Sequence, residues 1–479
     1  MTPVPDVPAA RLSDPVAVRD MADRLNRPDF DRWAARTRAT GGCAQPVHLR
    51  GHVEYRDKLT GVLLRRFSSG TEPGGTLRVA CKTRRASRCP ACAETYRADT
   101  YQLVRAGLSG GKGVPDTVAE HPAAFVTLTA PSFGPVHTRR EKNGKAQPCR
   151  PRRDAGTCSH GRPVSCTARH TADDPRLGQP ICPDCFDYRA AVLWNAHAPE
   201  LWRRFTLAVR RQIAKAGGLR VGELRAHLTL SFAKVAEYQR RGLVHFHAVL
   251  RLDGPGGPIA PPPAWATYDL LADAVRHAAT AVTARTPQSN DVPAHTLTWG
   301  EQLDIRPITA TGTLTDRAVA GYIAKYATKA AESTGTVDRR IRATDDVNTL
   351  PVTDHARRLI TACLDLAAVE ELAGLRLDQW AHMLGFRGHF STKSRRYSTT
   401  LGRLRADRCA HNEREHHATT GRLPFDDDGV LITTHWNYVG QGLTPGEALL
   451  TAALTGRPLP PLDSRHARSP VGRPGPDRR

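Results

Sequence analysis

Apolar positions along the chain fall into short alternating runs and longer runs at helical spacing, and their order predicts an α+β fold. Phe125-Val-Thr-Leu-Thr-Ala130 alternates β-forming residues and stops at Pro131, which reads as a strand. Over 188–216, Leu201, Phe205 and Val209 recur at helical spacing beside Arg203, Arg204, Arg210 and Arg211, an amphipathic helix with a basic face. Two apolar-rich runs, 224–237 and 243–252, flank Gln239-Arg-Arg-Gly242, whose glycine suits a tight connection; they predict an antiparallel hairpin. Leu303-Asp-Ile-Arg-Pro-Ile308 reads as an edge strand, because Pro307 has no N–H for a central ladder. A helix over 316–332 follows, and beyond 340 the pattern is mainly helical. Helices packed on a central antiparallel sheet are the architecture this order favours.

The elements group into four segments. Residues 1–115 carry a first cysteine group; 116–335 form a central domain interrupted by a cysteine-rich insertion at about 137–187; 336–455 are mainly helical and basic; 456–479 are a Pro/Arg-rich tail expected to be disordered. The balance of 69 Lys and Arg against 47 Asp and Glu leaves a formal charge of +22, which points to a polyanionic partner, nucleic acid first. The N-terminus lacks the basic start and apolar run of a secretory signal, and no apolar stretch reaches a membrane-spanning length, so a cytoplasmic protein with no membrane association is expected. In that reducing compartment the 11 cysteines are better read as metal ligands than as disulfides.

Within Gly242-Leu-Val-His-Phe-His-Ala-Val-Leu250, His245 and His247 flank Phe246, and strand alternation aims both imidazoles at one face. Glu237 ends the preceding strand, and a hairpin brings its carboxylate back toward His245. A His, His, Glu set with open positions suits Mn²⁺ or Mg²⁺ acting on a phosphodiester. Downstream, Gly321-Tyr-Ile-Ala-Lys-Tyr-Ala-Thr-Lys-Ala330 places Tyr322 and Tyr326, and likewise Lys325 and Lys329, four residues apart on a shared helical face. A tyrosine can attack phosphorus and hold a cut strand covalently, while lysines stabilise the developing charge.

The pairing of Gly242-Leu-Val-His-Phe-His-Ala-Val with Tyr322-Ile-Ala-Lys-Tyr-Ala-Thr-Lys329 resembles the His-hydrophobic-His (HUH) rolling-circle replication initiators, above all those of actinobacterial plasmids and integrative conjugative elements. Thr127-Leu-Thr-Ala-Pro-Ser-Phe133 is similar to their first motif, and Gly385-Phe-Arg-Gly-His-Phe-Ser-Thr-Lys-Ser-Arg-Arg-Tyr397 to a further segment. The likeness covers roughly residues 120–335; the inserted cysteines depart from minimal members. It implies an HUH endonuclease domain, a metal held by His245, His247 and Glu237, and Tyr326 as nucleophile. The product would be a 5′-phosphotyrosine and a 3′-hydroxyl that primes synthesis at a double-strand origin. Tyr322 also meets the Tyr-x-x-Lys spacing, and one versus two catalytic tyrosines stays open. A relaxase or transposase of the same chemistry, or a non-catalytic zinc-containing DNA-binding regulator, are the alternatives.

The cysteines form two candidate structural zinc sites, Cys43, Cys81, Cys89 and Cys92, and Cys158, Cys166, Cys182 and Cys185, with His160 an alternative ligand in the second. Cys149, Cys363 and Cys409 read as ordinary small residues. Lys393, Arg395 and Arg396 beside Tyr397 suit phosphate contact with base stacking. Gly110-Gly-Lys-Gly113 lacks parts of a phosphate loop, so no nucleotide cofactor is expected; origin DNA, double- and single-stranded, would be served by a separate host helicase and DNA polymerase.

Overall fold

The computed structural model describes residues 14–457 apart from 154–155, 291, 310–314, 330–333, 338, 343 and 421–428. The chain divides into two compact units, one of residues 1–98 and 405–479, the other of residues 99–404.

The second unit is mixed α/β and built on a five-stranded antiparallel sheet. In chain order its main elements are β1 (Ala123–Leu128), α1 (Tyr188–Ala216), β2 (Thr229–Tyr238), β3 (Val244–Asp253), α2 (Tyr268–Ala281), β4 (Leu303–Pro307), α3 (Asp316–Ala327), α4 (Asp354–Ala367) and β5 (Ser391–Lys393). The strands lie in the order β4-β1-β3-β2-β5, so the strand bearing His245 and His247 is central and the one containing Pro307 is at an edge. β2 begins five residues later than its apolar run, because Leu224–His227 closes a helical turn first. The β2–β3 turn needs its glycine: Gly242 has φ +78°, and a Cβ there would lie 2.5 Å from Leu359 Cδ1. Asn195, buried on α1, clamps the same turn, donating to the carbonyls of Gly242 and Leu384 at 2.9 and 2.8 Å and accepting from the Val244 N–H at 3.1 Å.

Strand alternation gives the sheet two different faces. Val244, Phe246, Ala248, Leu250 and Leu252 of β3, with Ala124, Val126 and Leu128 of β1, join the core formed with Leu201, Phe205 and Val209 of α1. Burying each large apolar side chain there contributes roughly 1.5–3 kcal/mol. The opposite face carries His245, His247 and Glu237. Where the sequence placed a boundary at 335/336, the same core runs on: Leu359, Ile360, Cys363 and Leu366 of α4, then Phe386 and Phe390, pack into it. Helical spacing in α4 makes one apolar face that must be covered, and the existing core covers it. Cys363 is thus a buried small residue, as expected.

The first unit has helices Pro15–Leu25, Phe30–Ala39 and Pro445–Thr455, and an antiparallel sheet in which Val47–Asp57 pairs with Leu63–Ser68, Leu77–Val79 and Val430–Gln441. Helix Pro445–Thr455 contributes Leu450 to a small core with Trp33. The region after 340, expected to be mainly helical, therefore includes a strand of 12 residues, registered from Val47↔Gln441 to Asp57↔Val430. Leu431, Ile432, Tyr438 and Val439 remain exposed on it, which is why no clean in-and-out alternation marked it. The expected disordered tail lies, from residue 458, outside the described residues. No helix among the described residues is long and apolar enough to cross a membrane.

Candidate active site

Register brings the first three residues together. Glu237 pairs with His245 across the hairpin and Val235 with His247, so all three functional side chains project from the face opposite the core. Glu237 Oε2 lies 3.0 Å from Nε2 of each histidine, and the two Nε2 atoms are 3.2 Å apart. His247 is aimed from behind: Thr127, its neighbour on β1, places Oγ1 3.0 Å from Nδ1, which turns Nε2 toward the carboxylate. Phe125 stacks on the same imidazole at 5.8 Å with nearly parallel planes.

These donors fit a divalent cation. Six-coordinate Mg²⁺ with bonds of about 2.0–2.1 Å has neighbouring ligand atoms about 3.0 Å apart, the spacing seen here. Among the described residues no fourth His, Cys or carboxylate completes the set, so the protein supplies one side of a coordination shell. Burial pushes the Glu237 carboxyl up, yet hydrogen bonds from His245 and His247 outweigh it and hold it down at about 2. Burial also lowers His247 against the opposing hydrogen bond to Glu237, which keeps a lone pair free for a cation.

α3 crosses this face and presents both tyrosines. It is capped by Thr315, whose hydroxyl accepts from the Ala318 N–H, and ends at Ala327, five residues short of the expected 332; residues 330–332 lie outside the described residues. The Tyr322 hydroxyl is 3.2 Å from His247 Nε2, and the Tyr326 ring stacks on the same imidazole at 5.9 Å. The two phenol rings are 4.7 Å apart. Burial, then the charge of Glu237, raises both phenols above their ordinary range. Positive charge stands close by: Lys325 Nζ and Lys329 Nζ lie 5.5 and 4.9 Å from the Tyr326 ring centroid.

The cysteines gather into clusters of their own. Cys43, Cys81, Cys89 and Cys92 converge as expected, in the first unit. Their sulfurs accept from backbone, Ala44 N–H to Cys89 and Cys81 N–H to Cys43, both at 3.3 Å, and Cys89 and Cys43 sulfurs are 3.9 Å apart. Tetrahedral Zn²⁺ with four Zn–S bonds of about 2.3 Å separates its sulfurs by about 3.8 Å. In the second unit Cys158, His160, Cys182 and Cys185 converge, with His160 Nδ1 3.3 Å from Cys185 and 3.8 Å from Cys182. Partial desolvation opposes it, yet backbone N–H groups of Arg162 and His160 bring the Cys158 thiol down to about 6. Cys166 does not belong to this cluster. It pairs with Arg150 across an antiparallel bridge, which carries its sulfur to Cys149, His137 and His170 instead. Cys149 is buried within that group, whereas Cys409 is exposed.

Residues 29–456 match the family model described as "Replication initiator protein, pSAM2" (RepSA). The chain belongs to this family. It is 49% identical over 452 residues to a replication initiator protein of Streptomyces ambofaciens, a match spanning 92% of this chain and 94% of that protein. No solved structure matches the chain.

In this RepSA-family chain the expected basic cluster after β5 is split by packing. Tyr397 is fully buried, its hydroxyl donating to the Val104 carbonyl at 3.0 Å and its ring under Arg251, so it offers no surface to a base. Lys393 Nζ donates to the Ser398 carbonyl at 3.0 Å, and Ser391–Lys393 is itself the edge strand β5. Only Arg395 and Arg396 of the four are exposed. Sequence reasoning also missed Thr127 as the residue that orients His247, and the signal was present: it lies in the strand Phe125-Val-Thr-Leu128, at the one position that register sets opposite His247.

Proposed function

We propose that this chain is an HUH-type, metal-dependent endonuclease and strand transferase that begins rolling-circle replication by nicking one strand at a plasmid double-strand origin. Membership of a replication initiator family supports the biological role. The chemistry rests chiefly on one juxtaposition, two phenols against the imidazole of a His, His, Glu donor set, with the Tyr322 hydroxyl 3.2 Å from His247 Nε2.

Tyr326 is the proposed nucleophile. Its phenolate oxygen attacks the scissile phosphorus; the P–O bond to the 3′ oxygen breaks; a 5′-phosphotyrosine and a free 3′-hydroxyl result, and the phosphodiester energy is kept for rejoining. Mg²⁺ or Mn²⁺ held by Glu237, His245 and His247 would supply Lewis-acid polarisation of the phosphate. Lys325 and Lys329 offset the cost of a phenolate whose burial otherwise disfavours it. Tyr322, its hydroxyl 3.2 Å from His247 Nε2, would act as a second nucleophile or hold the His247 edge. Zinc in the Cys43 and Cys158 clusters would brace surrounding loops, and Arg395 and Arg396 contact phosphate. A host helicase and polymerase would extend the 3′-hydroxyl.

The test is incubation of the full chain with Mn²⁺ and 5′- or 3′-labelled single-stranded DNA spanning its replicon's origin. A denaturant-resistant adduct that carries the 3′ label, joined through the 5′ phosphate of the fragment 3′ of the break, and lost in Tyr326→Phe and His245→Ala, is expected. Tight, salt-dependent binding with no break or adduct would instead make this a non-catalytic DNA-binding regulator.

A further inference from the structure

The insertion between β1 and α1 has little regular structure to hold it. Among its described residues are the short hairpin Arg140–Lys142/Lys145–Gln147 and the single turn Pro183–Cys185. A segment with so small an apolar core of its own needs cross-links. One is the Cys158, His160, Cys182, Cys185 cluster. A second group stands apart from it: His137, Cys149, Cys166 and His170 each bring one donor atom within 4.8 Å of the others.

We propose that His137, Cys149, Cys166 and His170 hold a further structural zinc ion, in a Cys₂His₂ site that fixes one wall of a cleft beside the Glu237 end of the hairpin. The backbone presents the two sulfurs from adjacent antiparallel segments: Cys149 N–H donates to Ala168, Arg150 N–H to Cys166, and Cys166 N–H to Arg150, at 2.8–3.0 Å. A further N–H, that of Thr138, points at the Cys149 sulfur at 3.2 Å, as suits a thiolate. His170 is oriented by a carboxylate. Its Nδ1 donates to Asp174 Oδ2 at 2.7 Å, and Asp174 is held in turn by Arg176 at 2.8 Å. That leaves the lone pair on His170 Nε2, which faces His137 Nδ1 at 3.2 Å and Cys166 Sγ at 3.6 Å; Cys149 Sγ is 4.0 Å from His137 Nδ1. Carboxylate–histidine pairs of this kind are how proteins fix an imidazole for a metal.

Spacing and burial agree with the ligand type. Tetrahedral Zn²⁺ with bonds of about 2.0–2.1 Å to nitrogen and 2.3 Å to sulfur separates its ligands by about 3.3–3.8 Å. His170 and Cys149 are each only 2% exposed, while His137 and Cys166 are half-buried, so two of the four donors are shielded from solvent. Mixed sulfur and imidazole donors select zinc over the harder cation that suits the Glu237 trio. His137, Thr138 and Arg139 line a cleft of about 940 Å³ together with Gln239, Arg240 and Arg241 of the hairpin turn. The ion would therefore tie a loop wall of that cleft in place from within the insertion.

The test counts zinc in the full chain carrying His245→Ala and His247→Ala, so that the trio contributes none, by native mass spectrometry and elemental analysis. Three ions per chain are expected, one for each cysteine-containing cluster among the described residues. Cys149→Ser and His170→Ala should each lose one ion, whereas His170→Cys, which supplies a thiolate in place of the imidazole, should keep it. In the cobalt-substituted protein, the Cys149→Ser difference spectrum should remove the thiolate charge-transfer intensity of two sulfurs, not three or four. A total of two ions that Cys149→Ser leaves unchanged would overturn the proposal, as would His170→Cys losing the same ion as His170→Ala.

Discussion

Glu237, His245 and His247 sit on two paired strands in the middle of a sheet, and their donor atoms come together through register and a 3.0 Å hydrogen bond between Thr127 Oγ1 and His247 Nδ1. The cysteine clusters are assembled differently. They draw their donors mainly from turns and loops far apart in the chain, Cys43 to Cys92 in the first unit, with backbone N–H groups pointing at sulfur. Strands impose geometry whatever occupies the site, because slipping by one residue would turn the histidines into the core. Loops do not, so a metal there is part of folding. The trio accordingly leaves one side open, as the proposed chemistry requires, and each cysteine cluster offers four donors.

The comparison can be broken at several points. The largest expected effect is Tyr326→Phe, which should reduce nicking and adduct formation on the order of 10³-fold or more while leaving zinc content and thermal midpoint unchanged. Tyr322→Phe should cost less, and an equal loss in both would make the tyrosines a functional pair. Next, Cys92→Ser should release one zinc and destabilise the first unit by about 4 kcal/mol, seen as an earlier thermal transition. If zinc is lost and the transition stays put, the clusters are not part of folding. Glu237→Ala should abolish activation by Mn²⁺, a loss of about 10²-fold or more, with the fold intact. Unfolding in that variant would show the trio to be structural after all. Thr127→Val leaves His247 without its orienting hydroxyl and should weaken Mn²⁺ activation about 10-fold.

The smallest effect concerns the other face of the same strand. Lys234 is buried on the core side, its Nζ 4.0 Å from the Phe246 ring centroid and donating to the His389 carbonyl at 3.2 Å. Burial lowers it to about 7, far below its ordinary value of 10.5. Between those two values the unfolded chain binds the extra proton, so stability should rise with pH from about 7 to 10.5 and level off above. Lys234→Met should flatten that rise and add on the order of 1 kcal/mol at pH 7, measured as a urea midpoint. A flat profile in the unsubstituted chain would mean that the sheet accommodates the cation without penalty.

Patterns confined to a few consecutive residues were readable directly. The helix over 188–216, the hairpin with its glycine, the edge strand with Pro307 and the histidine pair all depend on spacing along one or two elements, which periodicity reports. The placement of Glu237 opposite His245 followed from the hairpin alone, and the convergence of Cys89 and Cys92 from their spacing of three residues. What the sequence could not assign were choices between equivalent residues far apart in the chain. Cys166 and Cys158 carry the same thiol, and only the bridge between Cys166 and Arg150 sends one to His137 and His170 and the other to Cys182 and Cys185. Tyr397 lies among exposed arginines in sequence, yet its hydrogen bond to Val104 and its packing against Arg251 take it out of solvent. Val430–Gln441 becomes a strand because Val47–Asp57 offers it a ladder almost four hundred residues away. Local chemistry and period are written in the order of residues; which distant partner satisfies them depends on backbone hydrogen bonds and volume that exist only once the chain is folded.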